Sequence, residues 1–230
     1  MKRFLAWLLL LSCVFALSAC SIGNGSTSAS GAISSVSKMY RNSAPTKTVV
    51  TSEQKFGDLT LRGEQTLVKG QIYYEGEWRE AAVYEWKEEK RAKIEEEIGP
   101  VKTETGSLEF VDGLGVRRNK GRNWSAGADF SPSIGQMALT LDTSSLTDIS
   151  YNEGTKTLTF TVKPANLTKV FGADTELAEE VLVTIVNDGA VVTDVILNYS
   201  EAGTEELPNG KQITIHTVYT YDNEVVELLK

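Results

Sequence analysis

Hydrophobic residues follow three successive rhythms along the chain. Phe4 to Leu17 is an almost unbroken apolar run, interrupted only by Ser12 and Cys13. Ala32, Ile33, Val36, Met39 and Tyr40 then recur at helical spacing, with serines between them, until Asn42-Ser43-Ala44-Pro45 stops the pattern. A short amphipathic helix is expected there. After Pro45 the period drops to two. Residues 48–51 and 59–61 flank a turn at Phe56-Gly57-Asp58, and residues 66–70 and 72–74 continue as strands to Glu75-Gly76-Glu77. Ala82, Tyr84 and Trp86 then alternate with Val83, Glu85 and Lys87, and residues 107–116 read as a strand pair around Asp112-Gly113.

The second half repeats this grammar. Ile149 and Tyr151, a turn at Asn152-Glu153-Gly154, and Leu158, Phe160 and Val162 form one hairpin. Residues 181–186 and 191–199 form another around Asn187-Asp188-Gly189, with Asp-Gly as its marker. Pro208-Asn209-Gly210 leads into a last strand through Ile213, Ile215, Val218 and Tyr219. Two stretches are less regular. Residues 87–98 are rich in strong helix formers, yet Ala92, Ile94 and Ile98 give only a thin apolar stripe, so a charged strand and a short surface helix both fit. Ser131-Pro132 is expected to open a short helix through Leu139, because proline is tolerated at the first helical position. The sum is an α+β chain, mainly antiparallel β, with a short N-terminal helix and one or two further helices.

The first rhythm is of another kind. Lys2 and Arg3 precede an apolar run of about 14 residues, shorter than the roughly 20 a helix needs to cross a bilayer. Ser18 and Ala19 follow, completing the layout of a secretory signal. Leu17-Ser18-Ala19-Cys20 resembles the lipobox of bacterial lipoproteins. That resemblance implies diacylation of Cys20, with chains of the palmitate type, cleavage before it, and attachment at the extracytoplasmic face of a membrane. Residues 21–30 are Ser, Gly, Ala, Asn and Thr with one Ile, a flexible composition. The expected division is therefore a signal at 1–19, a tether at 20–31, and a single antiparallel β-rich domain at 32–230.

Charge and residue types narrow the function. Cleavage takes away Lys2 and Arg3 and moves the formal net charge from −8 to −10. An acidic balance of this size argues against nucleic acid, whose phosphates need a basic surface. Cys13 lies in the segment to be discarded, so Cys20 is the only mature cysteine, and His216 is the one histidine. A multi-histidine zinc site or a Cys-His nucleophile pair is thereby excluded, and any serine triad would have to use His216. Gly113-Leu114-Gly115 lacks the third glycine of a dinucleotide loop. The paired glutamates, such as Glu88-Glu89 and Glu179-Glu180, read as solvated faces. No catalytic residue, metal or cofactor is expected, and the chain reads as a non-enzyme.

One local feature stands apart from that acidic background. Arg117, Arg118, Lys120 and Arg122 place four cations within six residues, followed by Trp124. Such a loop is a candidate anion-binding site, with arginine forks for a phosphate or carboxylate and the indole as an apolar shelf. The alternative is a hairpin loop balancing the acidic run at 88–97.

The lipobox, the short helix and the strand rhythm, with Leu158-Thr159-Phe160-Thr161-Val162 leading to Val183-Thr184-Ile185-Val186-Asn187-Asp188-Gly189, resemble the LolA-like half-barrel lipoproteins. That group includes lipoprotein carriers and mycobacterial lipid carriers, and uncharacterised Gram-positive lipoproteins look similar. The resemblance covers residues 32–230 and implies a curved half-barrel-like sheet, with helices closing its concave side over an apolar cavity for acyl chains. It carries over no binding residue. The expected function is a membrane-anchored, non-enzymatic binder or carrier of a hydrophobic or amphiphilic ligand at the cell envelope. The alternative is an envelope interaction module with a packed β core and no cavity. A cell-envelope hydrolase, built on facing carboxylates or on a supported His216, is the third reading.

Overall fold

The computed structural model of the chain describes residues 28–94, 97–130, 138–172, 179–202, 210–222 and 225–229. The expected signal and Cys20 lie outside these residues. Helix α1 (Ala29–Asn42) buries Ala32, Ile33, Val36, Ser37 and Tyr40. It takes in the last three residues of the expected tether, 29–31. The cause is Ser28, whose hydroxyl accepts the Gly31 N–H at 3.1 Å and caps the first turn.

Ten strands follow: β1 (Lys47–Phe56), β2 (Leu59–Tyr74), β3 (Glu77–Ile94), β4 (Glu97–Val111), β5 (Gly115–Arg118), β6 (Thr147–Asn152), β7 (Thr157–Val162), β8 (Val181–Asn187), β9 (Val192–Glu201) and β10 (Lys211–Thr220). They form one open antiparallel sheet in the order β5-β4-β3-β2-β1-β10-β9-β8-β7-β6. Each half is a five-strand meander, and β1 and β10 join the halves through the register Lys47↔Thr220 to Lys55↔Gln212. A second helix, α2 (Leu167–Phe171), follows a short 3-10 turn at Pro164–Asn166.

In the less regular stretch at 87–98, the described residues are strand, in β3 up to Ile94 and in β4 from Glu97. Trp86 pairs with Gly106, Glu88 with Glu104 and Lys90 with Lys102. Lys90 reaches both Glu88 (3.2 Å) and Glu104 (2.8 Å), which offsets the facing like charges. Helix propensity is a weak preference that sheet pairing overrides. The expected helix at 131–139 falls mostly outside the described residues; Leu139 itself is buried and not helical.

Opposed residues of an antiparallel sheet share a face, so the register assigns two faces across the whole sheet. On one, α1 and α2 cover Leu158, Phe160, Val162, Val181, Val183, Ile185 and Leu197. Full burial of such side chains contributes about 1.5–3 kcal/mol each. The same face continues over β1–β4 through Leu67, Ala82 and Tyr84, with Val50, Trp86, Leu108, Phe110 and Phe130 partly buried. On the opposite face, Ala81, Val83 and Val111 are covered by the segment after β10, where Val226 is buried and Leu228 and Leu229 pack alongside. That strap is tied to β2 by Val226 N–H on the Gln71 carbonyl at 2.9 Å.

Candidate functional site

Alternation in β3 puts Tyr84 and Trp86 on the helix-bearing face, where the helices do not reach. Their rings stack at 5.3 Å with 25° between planes, and the Tyr84 hydroxyl donates to Gln65 Oε1 at 3.2 Å. The Trp86 indole lies on the backbone of Gly106. A Cβ at Gly106 would come within 1.9 Å of the ring, so only glycine leaves space for the indole. Leu108 adds to this apolar floor, and Phe110 and Phe130, their centroids 5.6 Å apart, pack in the same cluster. Above it opens a recess of about 270 Å³, bounded by Ser52, Gly63, Gln65 and Glu88 as well as the aromatic pair. An apolar floor under a polar rim can hold an amphiphile lengthwise.

This differs from the closed apolar cavity implied by the half-barrel resemblance. Among the described residues, the space beneath α1 and α2 is filled by Leu158, Phe160, Val162 and Ile185, all fully buried. A larger recess, of about 470 Å³, is bounded by the charged side chains Glu64, Glu85, Lys87 and Lys120 together with Thr66, Thr105 and Trp86. Sequence reasoning noted the strand aromatics but not the shelf. The signal available was Gly106, a lone glycine inside a strand pattern, which often marks a close approach.

The candidate anion loop is divided by the structure. Arg117 faces directly across to Glu109, which is fully buried. Its Nε and Nη2 donate to the carboxylate at 2.5 and 2.7 Å, and the guanidinium lies 4.9 Å from the Trp124 ring. This hydrogen-bonded carboxylate raises the Arg117 pKa further above its ordinary value. Arg117 and Trp124 thus brace the sheet, and the counter-ion is Glu109 rather than the acidic run at 88–97. Arg118, Lys120 and Arg122 remain exposed. Arg118 and Arg122 border a recess of about 320 Å³ together with Asn123, Ser125 and Asp129.

His216 is half-exposed on the strap-bearing face, and its Nε2 lies 2.9 Å from Asp194 Oδ1. Among the described residues no serine hydroxyl is hydrogen-bonded to this pair, so the arrangement stops at two members of a triad. Glu180 is paired with Lys163. Among the described residues no three His, Cys, Asp or Glu side chains converge as a metal site, and no helix is long and apolar enough to cross a membrane.

No family model and no curated protein matches the chain. Two solved structures are similar in outline. The mycobacterial protein LprF from Mycobacterium bovis is 12% identical, over 89% of this chain and 99% of its own, with a TM-score of 0.38. A DUF1329 family protein from Desulfovibrio piger is 11% identical, over 85% and 93%, with a TM-score of 0.29.

Proposed function

We propose that the chain is exported, lipidated at Cys20 and held at the extracytoplasmic face of a bacterial membrane, where its sheet binds an amphiphilic ligand without chemical turnover. The observation that supports the binding reading is the Tyr84–Trp86 shelf, an apolar floor rimmed by Ser52, Gln65 and Glu88. The ligand lies along an open surface, its apolar chain on the rings and its polar group at the rim. The lipobox supports the anchoring. Organic extraction of the purified mature chain, followed by mass spectrometry, tests the binding. A co-purifying amphiphile that is lost in Trp86→Ala supports the shelf; equal recovery from both removes it. Cys20→Ser separately tests the anchor, since the chain should then leave the membrane fraction and take up no labelled palmitate.

A second reading, an envelope interaction module, is supported by the packed core under α1 and α2 and by the exposed cations Arg118, Lys120 and Arg122. Neutralising these three together should then abolish capture of an acidic partner, and unchanged capture would remove that reading.

A further inference from the structure

Tyr73 and Trp78 oppose one another near the tip of the β2–β3 hairpin, on the helix-bearing face. Their rings meet edge-on at 5.5 Å, yet they stay 61% and 58% exposed. Gln71, two residues away, bridges to Val225, which is 64% exposed. These are the three most exposed large hydrophobic residues among those described, and they gather at one end of the molecule. Leu182 and Val101, the next in rank, lie on separate strands.

The tip is held outward by construction. β1 stops pairing at Lys47↔Val68, so the hairpin projects beyond the start of β1. Glu75 and Gly76 turn it with φ of 50° and 93°, the twist that suits a two-residue hairpin loop. At its base Arg79 donates to the Asp112 carbonyl at 3.2 Å, pairs with Glu77 and lies over the Tyr74 ring at 6.0 Å. The ionisable groups around the tip are Lys69, Glu75, Glu77, Arg79 and Glu80. They do not form a basic patch, so an anionic surface would gain nothing from charge there.

We infer that the tip is a membrane foot: Tyr73 and Trp78, with Val225 beside them, enter the boundary between headgroups and acyl chains of the bilayer. Tyrosine and tryptophan carry an apolar ring and a polar handle, the combination that this boundary favours. The inference rests on the tethered reading of Cys20. Seven residues separate Cys20 from the Ser28 cap, and the eight steps between them span at most about 28 Å when extended. The folded domain is thereby kept within reach of the headgroups, and an exposed aromatic tip would fix its orientation there.

The test uses the mature chain with a hexahistidine tag replacing Cys20, held on vesicles of phosphatidylcholine containing a nickel-chelating lipid. Brominated phosphatidylcholine should quench its tryptophan fluorescence relative to unbrominated vesicles, with no loss at high salt, and the quenching should vanish in Trp78→Phe. Tyr73→Ser/Trp78→Ser should lose orientation, read as a loss of protection of the tip from added protease. Quenching that persists in Trp78→Phe, or is absent in the parent chain, would overturn the foot. So would quenching that needs anionic lipid and disappears with salt. Because the tag supplies the tether, failure here is distinct from failure of Cys20 to be lipidated.

Discussion

Glu109 and Arg117 face one another across β4 and β5, and Leu229 closes over the pair. Leu229 gives its N–H to the Glu109 carboxylate at 2.8 Å and its carbonyl accepts from Arg117 Nη2 at 3.0 Å. One ion pair thus fastens the edge strand and the strap to the same point of the sheet.

Removing only one partner should be far more damaging than removing both. Glu109→Gln leaves the part-buried Arg117 without its counter-charge and weakens two charge-assisted hydrogen bonds, at a cost of about 1.5–3 kcal/mol. Glu109→Leu/Arg117→Met should recover most of that loss. Urea unfolding of the three chains measures it, and equal midpoints for Glu109→Gln and the parent would contradict the account.

Gly106 and Trp86 give a second pairwise test. Gly106→Ala would press a methyl into the indole and should cost about 1–3 kcal/mol, as overpacking does. In a Trp86→Ala background the same change should be neutral or stabilising. A double-mutant cycle by urea unfolding reads the coupling, and tryptophan emission should report the displaced ring in Gly106→Ala.

The buried phenols set an alkaline limit. Burial first, then the adjoining Tyr219, holds Tyr40 protonated well above the ordinary tyrosine range. Burial also raises Tyr199 and Tyr221. Unfolded tyrosines ionise near pH 10, so above that pH the native state keeps more protons than the unfolded one. Stability should therefore be steady up to about pH 10 and fall as pH rises further. Tyr40→Phe loses its hydrogen bond with the Tyr219 hydroxyl, 3.1 Å away, and should cost about 1 kcal/mol at neutral pH. Its fall above pH 10 should nevertheless be shallower, as unfolding midpoints between pH 8 and pH 11 (about that range, for ordinary tyrosines) would show.

Asp188 makes the opposite prediction in acid. The N–H groups of Val191 and Ala190 lower its pKa, donating at 2.9 and 2.7 Å. A depressed carboxyl stabilises the fold above its unfolded pKa and loses that contribution as pH falls through the folded value. Asp188→Ala should be less stable than the parent at pH 7, with the gap narrowing as pH falls below the ordinary aspartate value of about 3.9. Parallel thermal melts decide it; a gap independent of pH would show that the turn does not use the charge.

Period-two alternation and Gly-marked turns made the strands legible, because Gly57, Gly76 and Gly189 stand where φ is positive. Strand length was less so. Residues 66–70 and 72–74 read as separate runs, yet both belong to β2, since Gly70 pairs with Ala81 and interrupts nothing. Helix α2 was missed: five residues show little periodicity, although Pro164 before it and Gly172 after it at φ 93° were available signals. Glu109 was unreadable for a different reason. A glutamate between Leu108 and Phe110 looks like an outward strand position, and the group that buries it lies 120 residues further on. The Asp194 beside His216 is likewise placed by sheet register, which no local pattern records.

The seam between β1 and β10 gives the chain a fixed order of assembly. Every other neighbour in the sheet is also a neighbour in sequence, so each meander can form from local contacts, which close quickly. The seam joins segments about 174 residues apart, as in the Thr46 hydroxyl bond to the Thr220 carbonyl. In a chain secreted from its N-terminus, β1 would emerge long before its partner and stand as an open strand edge, the kind that invites pairing with other chains. The last strand to leave the cell would be the one that shields the first.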